Sequence, residues 1–214
     1  SGLRKFTRPT GLINIAFFKQ IIDQVKDHLV YLTLYFQGEP YLHPQFLSLV
    51  RYAHDNGIYT ATSTNGHFLT KENAKETIVS GLNRVIVSLD GLDQKTYSTY
   101  RVSGDVEKVK QGLKNLVDAK RDSHSKTPYI ILQFIAFAHN QHQIEAVKAF
   151  GQEVGVDEVQ IKSAQIYDFD KGSDLLIEDA KYSRYERLDD GGWQIRSKLP
   201  DRCWRLWSAC VVTW

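Results

Sequence analysis

The sequence predicts an α/β fold in which parallel strands alternate with crossover helices and curve into a barrel of the TIM type. Three observations carry the prediction. Short apolar, β-branched runs alternate with amphipathic helical periods from residue 17 to residue 163, the pattern of parallel strands joined by right-handed crossovers. No Gly-x-Gly-x-x-Gly turn follows any strand, which weakens the alternative of an open, doubly wound dinucleotide-binding sheet. Polar, Gly-rich punctuation falls at the C-terminal ends of successive strands, where barrel enzymes place their chemistry.

After a polar entry at Arg4 to Thr10, Phe17, Phe18, Ile21, Ile22, Val25 and Leu29 recur at helical spacing and predict a core-facing helix. Val30 to Phe36 reads as the next strand and ends at Gln37-Gly38-Glu39-Pro40. A helix opens at Pro44, a favoured first-turn residue, turns Phe46, Leu47 and Val50 inward and stops at Gly57. Ile58 to Ser63 is the second strand, Thr70 caps a helix ending at Gly81, and Arg84 to Leu89 is the third strand. Asp105 caps a helix with Val106, Val109, Leu113, Leu116 and Val117 on one face. Tyr129 to Ala138 is the fourth strand, Asn140 caps a helix ending near Gly155, and Val159 to Ser163 is the fifth. Three segments result: a partial barrel over 1–165, an irregular polar connector over 166–202, and the start of a second module over 203–214.

With 42% hydrophobic and 24% charged residues in 214, the chain can bury a full core. Its net charge of +2 and the lack of a basic block interleaved with aromatics argue against nucleic acid as a partner. No apolar run reaches membrane-spanning length and Ser1 opens no signal peptide, so no membrane role is expected. The two cysteines, Cys203 and Cys210, sit together near the end rather than in a spread disulfide framework, which favours the cytoplasm. The absence of Met leads us to expect a natural start upstream of Ser1.

The strand-end turns carry a resemblance. Tyr35-Phe36-Gln37-Gly38-Glu39-Pro40 is similar to the Gly-Gly-Glu-Pro motif of radical S-adenosylmethionine enzymes, with Gln37 in place of the first glycine. Thr62-Ser63-Thr64-Asn65-Gly66 resembles that family's Thr-Asn-Gly turn. Val87-Ser88-Leu89-Asp90-Gly91, followed by Arg101 and Asp105, resembles its Ser-x-Asp-Gly pattern with a downstream arginine. The resemblance implies a (β/α)6 partial barrel with its first strand missing, and S-adenosylmethionine held at the rim. Gln37, Gly38, Glu39 and Pro40 would hold the methionyl amino group, since an ammonium needs several converging acceptors and a Gly turn stiffened by Pro presents them. Thr64 and Asn65 would line the next turn, Ser88 would reach the ribose or carboxylate, and Arg101 would pair with that carboxylate. Asp90 and Gln133, the polar break in an apolar strand, would complete the set.

Read without the family, Glu39 is a solvated turn residue, Asp90 a brace for Gly91 and Arg101 a surface charge, while Gln133 faces either an interior partner or a ligand. Lys162, beside the end of the last strand, either points at substrate or, as the favoured reading, is solvated, and His43 and His67 receive no role.

Cys203-Trp204-Arg205-Leu206-Trp207-Ser208-Ala209-Cys210 resembles the opening of a SPASM extension, implying Cys203 and Cys210 as ligands of an auxiliary [4Fe-4S] cluster, which two thiolates alone do not complete. The Cys-x-x-x-Cys-x-x-Cys loop of the family's catalytic [4Fe-4S] cluster is absent from these residues and is expected immediately before Ser1. The fragment alone is therefore expected to be inactive, with a parallel edge that leaves it marginally stable.

For an intact parent, the resemblance implies an oxidoreductase or maturase. It would reductively cleave S-adenosylmethionine to a 5′-deoxyadenosyl radical and remove hydrogen from a peptide or protein side chain, with flavodoxin or ferredoxin as electron donor. Two other classes stay open: a barrel lyase or aldolase using Glu39, Asp90 and Lys162, and a degenerate, non-catalytic barrel that binds a peptide or partner.

Overall fold

The computed structural model of the chain describes residues 11–166, 169, 172–177, 179–196 and 208–212. Five parallel strands form one sheet in the order β1-β2-β3-β4-β5: β1 (Tyr31–Thr33), β2 (Tyr59–Thr64), β3 (Arg84–Ser88), β4 (Tyr129–Ala136) and β5 (Glu158–Ser163). This sequential order has no reversal of the kind that defines a doubly wound sheet, and it is the order of a barrel arc. Helix α1 (Ile15–Val25) precedes β1, and the helices between the strands are α2 (Phe46–Asp55), α3 (Lys71–Val79), α4 (Gln94–Tyr100), α5 (Val106–Asp122) and α6 (Ile144–Val154).

Side-chain alternation gives the sheet two unlike faces. On the outer face Val85, Val87, Leu89, Ile130, Leu132, Phe134 and Ala136 pack with Val109, Leu113 and Leu116 of α5 and with Val147 of α6 in the main core. The inner face carries the intervening residues. Register sets Ser88 beside Gln133 and Gln133 beside Gln160, with Ile135 beside Lys162 one step further along. Nearer the N-terminal strand ends, Tyr31 and Tyr59 stack with ring centres 5.2 Å apart.

Local chemistry explains the helix starts. Thr70 Oγ accepts from Asn73 N–H, and Asp105 Oδ1 accepts from Glu107 and Lys108 N–H, so both expected caps form. One close approach needs two glycines. A Cβ on Gly112 would lie 2.4 Å from the carbonyl oxygen of Gly66, and Gly66 itself has φ of +80°, so only glycine lets α5 press against the turn after β2.

Several expectations are corrected. The first strand covers Tyr31–Thr33 instead of 30–36, because after Leu34 N–H bonds to the Ala61 carbonyl the chain bends away toward Glu39. Phe17 is 45% exposed, so Phe18 and Ile22 are the buried residues of α1, against Leu49, Ala53 and Ile58. The helix after Pro44 begins at Phe46, and α4 was not expected at all. Asn140 does not cap α6: its side chain makes no capping bond and the helix begins four residues later. Within the expected irregular connector, β6 (Tyr185–Arg187) and β7 (Trp193–Ile195) form an antiparallel hairpin. Tyr185 anchors it to the end of the barrel, donating from its hydroxyl to the Ile166 carbonyl at 3.0 Å. No described helix is long and apolar enough to cross a membrane.

Candidate functional site at the strand ends

The turn after β1 is built around Gly38, whose φ of +87° is the left-handed region that glycine adopts without strain. A Cβ there would meet nothing within 4 Å, so the space in front of the turn is open. Glu39, next in the chain, is half-buried and not solvated. Its Oε1 accepts from Thr64 Oγ at 2.7 Å and Tyr41 N–H at 3.2 Å, and its Oε2 accepts from Asn65 N–H at 2.7 Å. One carboxylate thus ties the turns after β1 and β2 together, and its charge strengthens each bond. Pro40 follows at the first position of a single 3-10 turn.

Asn65 is held in turn by His67, whose N–H donates to Asn65 Oδ1 at 3.0 Å. The His67 ring Nε2 accepts from Asp105 N–H at 2.8 Å, which leaves Nδ1 as the protonated nitrogen facing Asn65. His43 is likewise occupied, with its Nδ1 accepting from Gln45 N–H and its Nε2 against the Ile13 carbonyl. Both histidines are structural.

At the next two strand ends Asp90 is fully buried. Its Oδ1 accepts from Ile135 N–H at 2.8 Å and its Oδ2 accepts from Arg101 Nε at 2.6 Å. Burial pushes its carboxyl up from the usual carboxylate range while the Arg101 guanidinium opposes that shift. Asp90 therefore braces the end of β4 and Arg101 and not the Gly91 turn expected of it, and Arg101 is an ion-pair partner with 28% of its side chain exposed, not a free surface charge.

What remains unclaimed is more telling. Among the described residues, nothing bonds the Ser88 hydroxyl, the Gln133 side-chain amide, the Asn65 Nδ2 or the Arg101 Nη groups. Ser88 and Gln133 are register neighbours on the inner face, and Thr64 pairs with Val87 just before Asn65 and Ser88. These groups therefore follow one another along a single rim. Gln37 is exposed beside it. Gln160 and Lys162 extend the polar row on β5; the sequence places Lys162 at the end of that strand, and the register adds that Gln160 stands beside Gln133. Surface clefts of about 470 Å³ among α1, α2 and α3 and about 360 Å³ beside α4 are not lined by Gly38, Asn65, Ser88 or Gln133.

Cys203 lies outside the described residues, and Cys210 is exposed and has no partner cysteine among the described residues. No group of three or more His, Cys, Asp or Glu residues among the described residues is arranged to hold a metal ion.

A parallel α/β barrel arc with polar groups gathered at the C-terminal strand ends is an enzyme architecture that takes its ligand at that rim. Residues 5–135 match the model of the Radical SAM superfamily, and the chain belongs to that superfamily. It is 27% identical over 157 residues to the tungsten-containing aldehyde ferredoxin oxidoreductase cofactor-modifying protein of Pyrococcus furiosus, covering 72% of this chain and 44% of that protein. It is 31% identical over 102 residues to the AdoMet-dependent heme synthase of Nitratidesulfovibrio vulgaris, covering 47% of this chain and 28% of the relative. The chain thus spans less than half the length of either relative.

Among solved structures it resembles anSMEcpe with bound AdoMet, with a TM-score of 0.63 at 15% identity over 80% of this chain and 49% of that one. It also resembles Streptococcus suis SuiB bound to S-adenosylmethionine, with a TM-score of 0.61 at 17% identity over 76% of this chain and 37% of that one. These structural likenesses show the fold.

Proposed function

We propose that the strand-end rim of this chain is the S-adenosylmethionine site of a radical enzyme, and that the whole protein removes hydrogen from a peptide or protein side chain. The observation that carries the reading is the set of unclaimed donors and acceptors at Asn65, Ser88, Arg101 and Gln133, aligned along one rim beside the open Gly38 turn. The set fits the methionyl end of the molecule. Backbone carbonyls of the Gln37 to Pro40 turn suit an ammonium, and a guanidinium with a hydroxyl nearby suits a carboxylate. Glu39 contributes by fixing the two turns relative to each other, and Asp90 by holding Arg101.

The Gln37 to Pro40 turn, Ser88 and Arg101 would hold S-adenosylmethionine, which would supply radical chemistry for hydrogen removal from substrate. The protein's part is to position the sulfonium nucleotide and keep water from the reacting groups. Superfamily membership implies a [4Fe-4S] cluster. The two cysteines of this sequence do not supply the three thiolates of the family's cluster loop.

On the same reading, residues 1–165 are the barrel, 166–202 a connector and 203–214 the opening of a SPASM extension. Cys203 and Cys210 there serve an auxiliary cluster, and a flavodoxin or ferredoxin supplies electrons in the cytoplasm. Support for a peptide substrate comes from fold neighbours whose structures hold peptides, among them SuiB bound to precursor peptide SuiA. A second reading, a small ring-containing substrate, is favoured by the relatives in sequence, which include heme synthases and a probable GTP 3′,8-cyclase.

Equilibrium dialysis of radiolabelled S-adenosylmethionine against the whole protein tests the site. Saturable binding weakened at least about tenfold by Arg101→Ala, the loss of one charge-assisted bond or more, is expected. Binding indifferent to both Arg101→Ala and Ser88→Ala contradicts it. Release of 5′-deoxyadenosine under anaerobic reduction tests the reaction, and turnover in iron-free protein would favour acid–base chemistry instead.

A further inference from the structure

Where the β3–β4 ladder stops, two buried side chains continue it. The last backbone bond in this stretch runs from Leu89 N–H to the Gln133 carbonyl at 2.9 Å. Beyond it, Ile135 N–H donates to Asp90 Oδ1 at 2.8 Å. Asn140 Nδ2 then bridges the two strands, donating to the Asp90 carbonyl at 3.0 Å and the Ile135 carbonyl at 2.9 Å. Its Oδ1 accepts from Phe137 N–H at 2.7 Å. The backbone of Asn140 is occupied too, through the Phe137 carbonyl and Gln143 N–H.

These partners fix the amide orientation, because two carbonyls must face the NH2 and one N–H must face the oxygen. No other residue of this size offers two donors on one atom and an acceptor on the other. Asp loses both donors, Leu loses all three groups, and Ser keeps one hydroxyl. Asn140 is fully buried, where a half-satisfied polar group is costly, and here all three bonds are made. The splice holds Asp90, whose other oxygen takes Arg101 Nε, and it fixes the end of the strand that presents Ser88.

We propose that Asn140 is a positioning residue of the rim: without touching ligand, it acts through Asp90 to set where Arg101 and Ser88 stand for S-adenosylmethionine. The proposal rests on the reading of the rim as the S-adenosylmethionine site. It goes beyond that reading by assigning part of the affinity to a residue with no exposed surface.

The test compares wild-type whole protein with Asn140→Asp, which keeps the shape and the acceptor for Phe137 but sets an oxygen against two carbonyls. Expected is a rise of about tenfold in the dissociation constant for S-adenosylmethionine in equilibrium dialysis, the effect of losing about one net hydrogen bond's worth of positioning. Faster hydrogen exchange at Ile135 and unchanged exchange in α2 should accompany it. Asn140→Ser, which keeps one donor, should recover part of the affinity, and it serves as the variant to read if Asn140→Asp does not fold. A lowered melting midpoint with unchanged affinity in the folded fraction overturns the inference and leaves the rim reading standing. Absence of binding in wild type overturns the rim reading and this inference with it.

Discussion

The two ends of the parallel sheet are both braced by polar side chains, yet they are built differently. At the N-terminal end Asn83 Oδ1 accepts from Thr60 N–H at 2.8 Å, and Asp157 Oδ2 accepts from Ile130 N–H and Lys120 Nζ at 2.7 Å each. The Asp157 and Lys120 side chains are 29% and 16% exposed, and the arrangement closes on itself. At the C-terminal end Glu39, Asp90 and Asn140 do the same mechanical task, but Asp90 and Asn140 are fully buried, and the bracing leads on to Arg101, Asn65 and Ser88, which keep groups unclaimed among the described residues. Bracing alone therefore marks no site. A brace whose far side presents unpaired donors does.

The difference can be broken by substitution. The largest effect should come from Asp90→Ala, which leaves Ile135 N–H and Arg101 without their acceptor. Stability should fall by about 3 kcal/mol, the low end for breaking a buried ion pair because Arg101 is partly exposed, and S-adenosylmethionine binding should be lost. Urea denaturation and dialysis measure the two. Next is Glu39→Ala, which strands Thr64 Oγ, Asn65 N–H and Tyr41 N–H and should cost about 2 kcal/mol with a clear loss of affinity, while Glu39→Gln should cost less.

Asp157→Asn, at the other end, should cost under about 1 kcal/mol, as for other partly exposed pairs, and leave affinity unchanged. A loss of affinity there would erase the contrast between the ends.

The smallest effect concerns Asp93, the cap of α4. The N–H and hydroxyl of Thr96 hold its carboxyl down to about 2. An unfolded aspartate titrates at about 3.9. Because the folded value is the lower one, its contribution is complete above about pH 4 and is lost as pH falls toward 2. Asp93→Asn should flatten that part of the acid limb of a stability profile, and an unchanged limb would show that the cap carries no such linkage.

Much of this fold is legible in the sequence because β3 and β4 are rich in apolar, β-branched residues and two helices start at Thr70 and Asp105 with ordinary caps. The region from 94 to 100 hid a helix because only Tyr97 in it is buried, so no apolar period exists to read. The run from 30 to 36 overstated a strand because composition cannot show where a neighbour's backbone stops pairing. At the rim, the turns were readable as motifs, but the roles within them were not. Whether Glu39 is solvated or bridges two turns depends on the approach of β1 to β2. Asn140 looked like a helix cap because Asn before a helical period is the usual cap signal, and only the positions of Asp90 and Ile135 in space reveal its other use.

Amide hydrogen exchange with and without saturating S-adenosylmethionine tests the central claim most directly. Protection should appear together at residues 37–40, 64–66, 88–91 and around 133, with α1 and the β6–β7 hairpin unchanged. Protection confined to other surfaces, or none at the rim despite measurable binding, would contradict the account.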